Sequence, residues 1–245
     1  MTTVSDRPMH AARIDIGAIS HNVRTIRGRT AGDVMAALTA DGYGHGLVET
    51  ARAALDGGAT CLAVSALCDV ATLRAAGIDA PVVASQRADP QEFSNSMVRI
   101  DCDLYGLGSD AEAEGLRPAM RVTALVIATK TIDAGDGVSY GYTYRAVRRT
   151  NLALVALGYA DGLDRSASNR GALWLGGRMR AIAGRVAMNV VVLELGNDRT
   201  VVGEEAVLFG DSALGEPTAG DWAASIGQPV AGVVSTVGAL LPRYY

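Results

Sequence analysis

Asp41-Gly42-Tyr43-Gly44-His45-Gly46 gathers a carboxylate, a phenol and an imidazole among three glycines. The segment lies between an apolar run, Val34–Leu38, and a helix-like stretch, Leu47–Leu55. Glycines at a strand end let a ligand come close to the backbone, and the N-terminus of a following helix suits an anion. The pattern is neither GxGxxG nor a P-loop. Taken alone it reads better as a structural turn. Arg99, in Met97-Val98-Arg99-Ile100, follows a strand-like start. The end of a parallel strand is where α/β folds place ligand contacts; a surface ion pair is the plainer reading. Gly137-Val138-Ser139-Tyr140-Gly141 matches the nucleophile-elbow pattern GxSxG. An elbow needs a helix next, whereas Tyr142-Thr143-Tyr144 follows, and its histidine comes after the serine. Here His10, His21 and His45 all precede Ser139, which excludes that serine hydrolase. Tyr140, Tyr142 and Tyr144 alternate, so at least one phenol faces outward; a surface aromatic stripe is the rival reading.

Cys61, Cys68 and Cys102 have no CxxC spacing, and no HExxH pair occurs. The expectation is a reducing compartment with no metal site and no disulfide framework. A net charge of -4 and 5% aromatic residues argue against nucleic acid as a partner. The segment from Met1 to Gly17 lacks the apolar core of a signal peptide, and no run reaches the length of a membrane span. A cytoplasmic protein without a membrane partner is expected. Of 22 basic residues only Lys130 is a lysine.

Strand-like and helix-like segments alternate in the first half. Ala12–Ile16, Val34–Leu38, Leu62–Ala66 and Pro81–Ala84 read as strands. Ile19 to Ile26, Leu47–Leu55 and Val70–Ala76 read as helices, the last two stopped by Gly57-Gly58 and Gly77. That rhythm predicts a parallel sheet in an α/β layer. Gln86–Ser96 is polar and turn-rich, Met97–Leu107 reads as a strand running into a loop, and Ser109–Gly115 resembles an acidic linker. From Met120 the chain reads as β, with strands over Val122–Ile127, Leu152–Leu157, Leu173–Leu175, Ile182–Val186, Val190–Leu195 and Val201–Phe209. Only Thr218–Ile226 reads as helical there, with Thr218 as cap and Asp221 completing the box. The division is placed at residue 112, giving domains 1–112 and 113–245.

Several blocks in order resemble alanine racemase. They are Arg13-Ile14-Asp15-Ile16 with His21-Asn22-Val23, the Ala40–Gly46 turn, Met97–Leu107, Leu116–Val122 and Ala134–Tyr144. Leu157–Leu163, Ser168–Gly171, Gly184–Asn189, Leu208–Gly210, Gly215–Ala223 and the final Pro-Arg-Tyr follow. The resemblance implies a (βα)₈ barrel that binds pyridoxal phosphate, then a β-domain. It implies a head-to-tail dimer whose sites are shared between subunits. Residue by residue, Tyr140 matches the tyrosine that acts as second base in the partner's site. Tyr43 matches a phosphate ligand, and Arg99 the arginine on the pyridine nitrogen. Tyr159 and Met188 match the substrate-entry and substrate-side residues.

The sequence departs from the family in two respects. A closed (βα)₈ barrel takes roughly 250 residues by itself. Here three strands are followed almost at once by the segment matching the last barrel strand, so the fold expected is α/β plus β, a partial barrel lacking its middle strands. In the family motif V-K-A-D-x-Y-G-H-G the lysine forms the Schiff base; in Leu38-Thr39-Ala40-Asp41 the cofactor-binding position is Thr39. After the arginine the family usually carries Pro-Gly, where this chain has Ile100-Asp101, and the acidic residue after the methionine is Asn189. A hydroxyl forms no Schiff base and is a poor base near neutrality. The reading is a racemase-family protein inactive alone, as a homodimer or a mixed dimer with an intact racemase. A functional pyridoxal-phosphate racemase and a non-catalytic interaction protein remain open alternatives.

Overall fold

A computed structural model describes residues 8–84, 97–108 and 110–245. The turn-rich stretch expected over Gln86–Ser96 lies outside the described residues, as do Ser109 and residues 1–7. In chain order the first elements are β1 (His10–Ile14), α1 (Ile16–Arg27), β2 (Asp33–Ala37), α2 (Leu47–Gly57), β3 (Cys61–Val64), α3 (Leu67–Ala75), β4 (Val82–Ala84) and β5 (Met97–Ile100). Then come β6 (Met120–Ile132), β7 (Gly137–Val138), β8 (Tyr144–Arg145), β9 (Thr150–Val155), β10 (Ala172–Leu175), β11 (Arg178–Ala181), β12 (Val191–Gly196) and β13 (Glu205–Phe209). The last are α4 (Ala219–Ile226), α5 (Val230–Leu240) and β14 (Arg243–Tyr244). They form two compact units. The α/β unit is Ile14–Met120 with Val234–Ala239 and Tyr245; the β unit is Met1–Arg13, Arg121–Val233 and Leu240–Tyr244.

The α/β unit is built on a four-stranded sheet of order β4-β3-β2-β5, parallel throughout. All of β3 and the last four residues of β2 are buried, which is why these strands read as unbroken apolar runs. Asp15 caps α1 by accepting from the Ala18 N–H at 2.9 Å, and Ile19 and Val23 carry its buried face. The stretch read as a linker is folded instead. Over residues 110–115, Ala111 is buried and its carbonyl accepts from the Leu116 N–H at 2.8 Å. Glu114 pairs with Arg29 at 3.7 Å. Acidic side chains turned to solvent hid the apolar contacts beneath them.

The β unit holds a sheet of order β11-β10-β13-β6-β1-β14, with β9 pairing both β6 and β12. The strand expected over Ile182–Val186 is corrected: Arg178–Ala181 is the strand, and Ile182 keeps only a single bridge to Leu193. Gly176 and Gly177, at φ 62 and 79, form a tight hairpin turn straight after Leu175, so pairing starts at Arg178. The α4 cap is as expected, with Thr218 Oγ1 accepting from the Asp221 N–H at 3.0 Å. α5 was not foreseen. Its Val-rich, glycine-containing sequence has weak helix propensity, and burial of Val233, Val234 and Val237 along one side fixes it instead. No single helix among the described residues is long and apolar enough to cross a membrane.

Candidate functional site

In the α/β unit the chemistry gathers at the C-terminal ends of the parallel strands. Thr39 follows β2 and opens a turn in which Ala40, Asp41, Tyr43 and Gly44 take φ of 52, 56, 52 and 76. Left-handed backbone costs about 1 kcal/mol or more for each non-glycine residue, so the turn must be held from outside. Several bonds hold it. The Gly42 N–H donates to Leu38 O at 3.0 Å and the Gly46 N–H to Asp41 O at 2.9 Å. Ser65 Oγ accepts from the Ala40 N–H at 3.2 Å, and Asp41 Oδ1 from the Leu47 N–H at 2.8 Å. The α2 N-terminus, expected to suit an anion, thus already faces a carboxylate of its own chain.

The turn directs Tyr43 at Tyr105, ring centroids 4.9 Å apart, while His45 stacks on Tyr105 at 4.5 Å. Tyr105 is fully buried and donates to the Ala37 carbonyl at 2.9 Å. Burial holds its phenol well above the ordinary range. The Thr39 hydroxyl and the Cys102 thiol lie beside the Tyr43 phenol. Its acidity is weakened by burial first, then by the Asp101 charge. Arg99 pairs laterally with Met35 of β2. Its guanidinium is forked by Asp101, Nε to Oδ2 at 2.9 Å and Nη2 to Oδ1 at 3.1 Å. That bond is the main reason its acidity is weakened further. Thr39, Tyr43 and Arg99 therefore share one neighbourhood. Tyr105, Cys102 and Asp101 belong to it as well and were not singled out as site residues. The pattern Arg-x-Asp at a strand end was the signal for Asp101.

The β unit assembles the remaining candidates by itself. Tyr140 follows Ser139, whose φ is 61 and whose hydroxyl donates to the Arg185 carbonyl at 2.7 Å. A 3-10 turn, not a long helix, comes next, in keeping with the exclusion of a nucleophile elbow. Tyr140 is 73% exposed. Tyr142 is exposed under the Arg145 guanidinium, whereas Tyr144 is pushed up to about 12 by burial and by its bond to Glu194. Tyr159 and Met188 sit on loops joined by two backbone bonds, Tyr159 N–H to Ala187 O at 3.0 Å and Ala160 N–H to Met188 O at 2.9 Å. Asn169 links a third pair of loops, donating to Thr143 Oγ1 at 3.1 Å and accepting from the Gly184 N–H at 2.7 Å. Phenols and a thioether thus stand on a tied loop surface. No cluster of potential metal ligands occurs among the described residues.

Parallel βα units with polar groups at their strand ends, continued by a separate β unit, define a class with a barrel-type N-terminal domain and a β C-terminal domain. Residues 14–127 match the family model "Alanine racemase, N-terminal domain", and residues 119–245 match "Alanine racemase, C-terminal domain". An alanine racemase of Thermobifida fusca is 31% identical over 363 aligned positions, covering 96% of this chain and 97% of the relative. One from Frankia casuarinae is 48% identical over 154 residues, covering 61% of this chain and 40% of the relative. The solved alanine racemase of D-cycloserine-producing Streptomyces lavendulae superposes with a TM-score of 0.90 at 26% identity, spanning 98% of both chains. The chain belongs to the alanine racemase family.

Proposed function

We propose that this member of the family does not interconvert L- and D-alanine by itself. The observation that carries the reading is Thr39, a hydroxyl at the strand-end position where the family motif has its lysine. The family's cofactor is pyridoxal phosphate, and the donor set here does not fit it as a Schiff base. Lys130, the only lysine, lies on β6 in the other unit. The Thr39 hydroxyl and the Tyr43 phenol, the latter raised by burial, offer no general base near neutrality. Two further facts support the reading. Among the described residues the α/β unit has four parallel strands, where a closed barrel takes eight. An alignment of 363 positions with a chain of 245 residues leaves about a third of the positions to the relative alone. We infer that the middle βα units are missing. Purified chain given pyridoxal phosphate and L-alanine is expected to form no D-alanine above a protein-free control by chiral separation. Sustained turnover would overturn the reading.

A second reading is favoured by the exposure of Tyr140 on an intact, hydrogen-bonded loop surface. In it the chain lends Tyr140 to a complete racemase in a mixed dimer. Co-expression with a full racemase whose own matching tyrosine is mutated would then restore activity, and Tyr140→Phe would abolish the rescue. Absence of any co-purifying racemase would sink this reading.

A further inference from the structure

We propose that Asp101 is a built-in occupant of Arg99 and excludes the phosphorylated cofactor, so that a lysine at position 39 is not enough to restore its binding. The proposal rests on the reading of Thr39 as a replaced lysine but concerns a different residue. Arg99 is a cation at the strand end, beside Tyr43. Its pairing with Met35 places it beside β2, and its charge is felt by Tyr43. Asp101 takes it with two bonds, at 2.9 and 3.1 Å, from only two residues along the chain. A bidentate fork of this kind fixes the guanidinium plane as well as its charge. Other carboxylates act on the neighbouring groups as well. Asp41 and Asp101 act on Tyr105, and Asp101 and Asp103 act on Cys102. A carboxylate already forked on the guanidinium opposes a phosphate ester, which brings close to two negative charges.

Asp101 has no structural task that explains the fork. It stands at the N-terminus of the 3-10 turn Cys102–Tyr105, yet its side chain makes no capping bond there. The Leu104 N–H is satisfied by the Asp101 backbone carbonyl at 3.1 Å. Both partners of the pair are nearly half exposed, 47% and 40%, so the pair adds little to stability. Asp101→Ala should therefore leave the fold intact while freeing Arg99.

The test compares wild type, Thr39→Lys, Asp101→Ala, and Thr39→Lys combined with Asp101→Ala or with Asp101→Asn. Binding of pyridoxal phosphate is measured by equilibrium dialysis. Borohydride fixation with peptide mapping locates the adduct and separates position 39 from Lys130. Thermal melts confirm folding, and the asparagine variant keeps the side-chain shape while removing the charge. The double variants are expected to bind at least tenfold more tightly than Thr39→Lys alone, with the adduct at position 39. Equal binding by Thr39→Lys and the double variants, or no binding by any of them, overturns the role of Asp101. Neither outcome bears on wild-type racemisation, which tests the Thr39 reading separately.

Discussion

Asn22→Leu is expected to lower the unfolding free energy by about 3 kcal/mol, since it strands the buried Leu104 carbonyl and two part-buried backbone groups of Arg117, where a fully buried group costs roughly 1–3 kcal/mol. Asn22 lies on α1 and is completely buried. Its amide donates to Leu104 O at 3.2 Å and to Arg117 O at 2.8 Å, and its carbonyl accepts from the Arg117 N–H at 2.8 Å. Leucine matches the shape and supplies none of these bonds. The loss would be a large share of the roughly 5–15 kcal/mol that keeps a domain folded. Urea titration should show a lower midpoint with an unchanged slope. A loss below about 1 kcal/mol would mean that water reaches these groups and the side chain is not an anchor. Leu104 belongs to the 3-10 turn after Asp101, so the same substitution should loosen the strand end that carries Arg99.

The sequence made the parallel rhythm legible because strands buried on both faces are apolar throughout. Val34 and Leu62 each lie in a run of that kind, Val83 lies in a half-buried apolar run, and glycines end the intervening helices. The alternating Tyr140–Tyr144 segment correctly announced outward-facing phenols. What stayed hidden depends on contacts distant in the chain. Ala40 and Asp41 carry no sign of left-handed backbone; the bonds to Leu38, Ser65 and Leu47 impose it. Tyr105 lies in a block that resembles the family, yet nothing local marks it as the ring between Tyr43 and His45. α5 was missed because β-branched residues and two glycines look unhelical until their buried side is known. The Ile182–Val186 strand was misplaced by apolar content, whereas Gly176-Gly177 set the register. Asp101 was noted as a departure, but only the structure shows its carboxylate on Arg99.

Two glycines on one helix should respond in opposite directions to the same change. Gly238→Ala is expected to cost about 3 kcal/mol, in the overpacking range, because the new methyl group meets backbone that cannot swing away. A Cβ at Gly238 would collide with Gly44 O and lie 2.8 Å from Gly44 C and 2.7 Å from Met120 Cε. The methionine methyl can move, but the Gly44 carbonyl cannot without disturbing a turn already fixed by its own hydrogen bonds. Nor can Gly44 give way by changing residue, since at φ +76 its own Cβ would lie 2.9 Å from Gly238 Cα and from Ser235 O. Gly232 lies on the same helix, and a Cβ there meets nothing within 4 Å. Gly232→Ala should instead stabilise by about 0.5–1 kcal/mol through helix propensity and a less flexible unfolded chain. Paired thermal melts decide the matter, with the midpoint falling for Gly238→Ala and rising for Gly232→Ala. If both fall alike, the helix tolerates no alanine for some general reason, and close packing against Gly44 is not the cause. If only Gly238→Ala falls, the turn that presents Thr39 and Tyr43 is clamped by the C-terminal helix. The position of the candidate site then depends on residues near the end of the chain that carry no chemistry of their own.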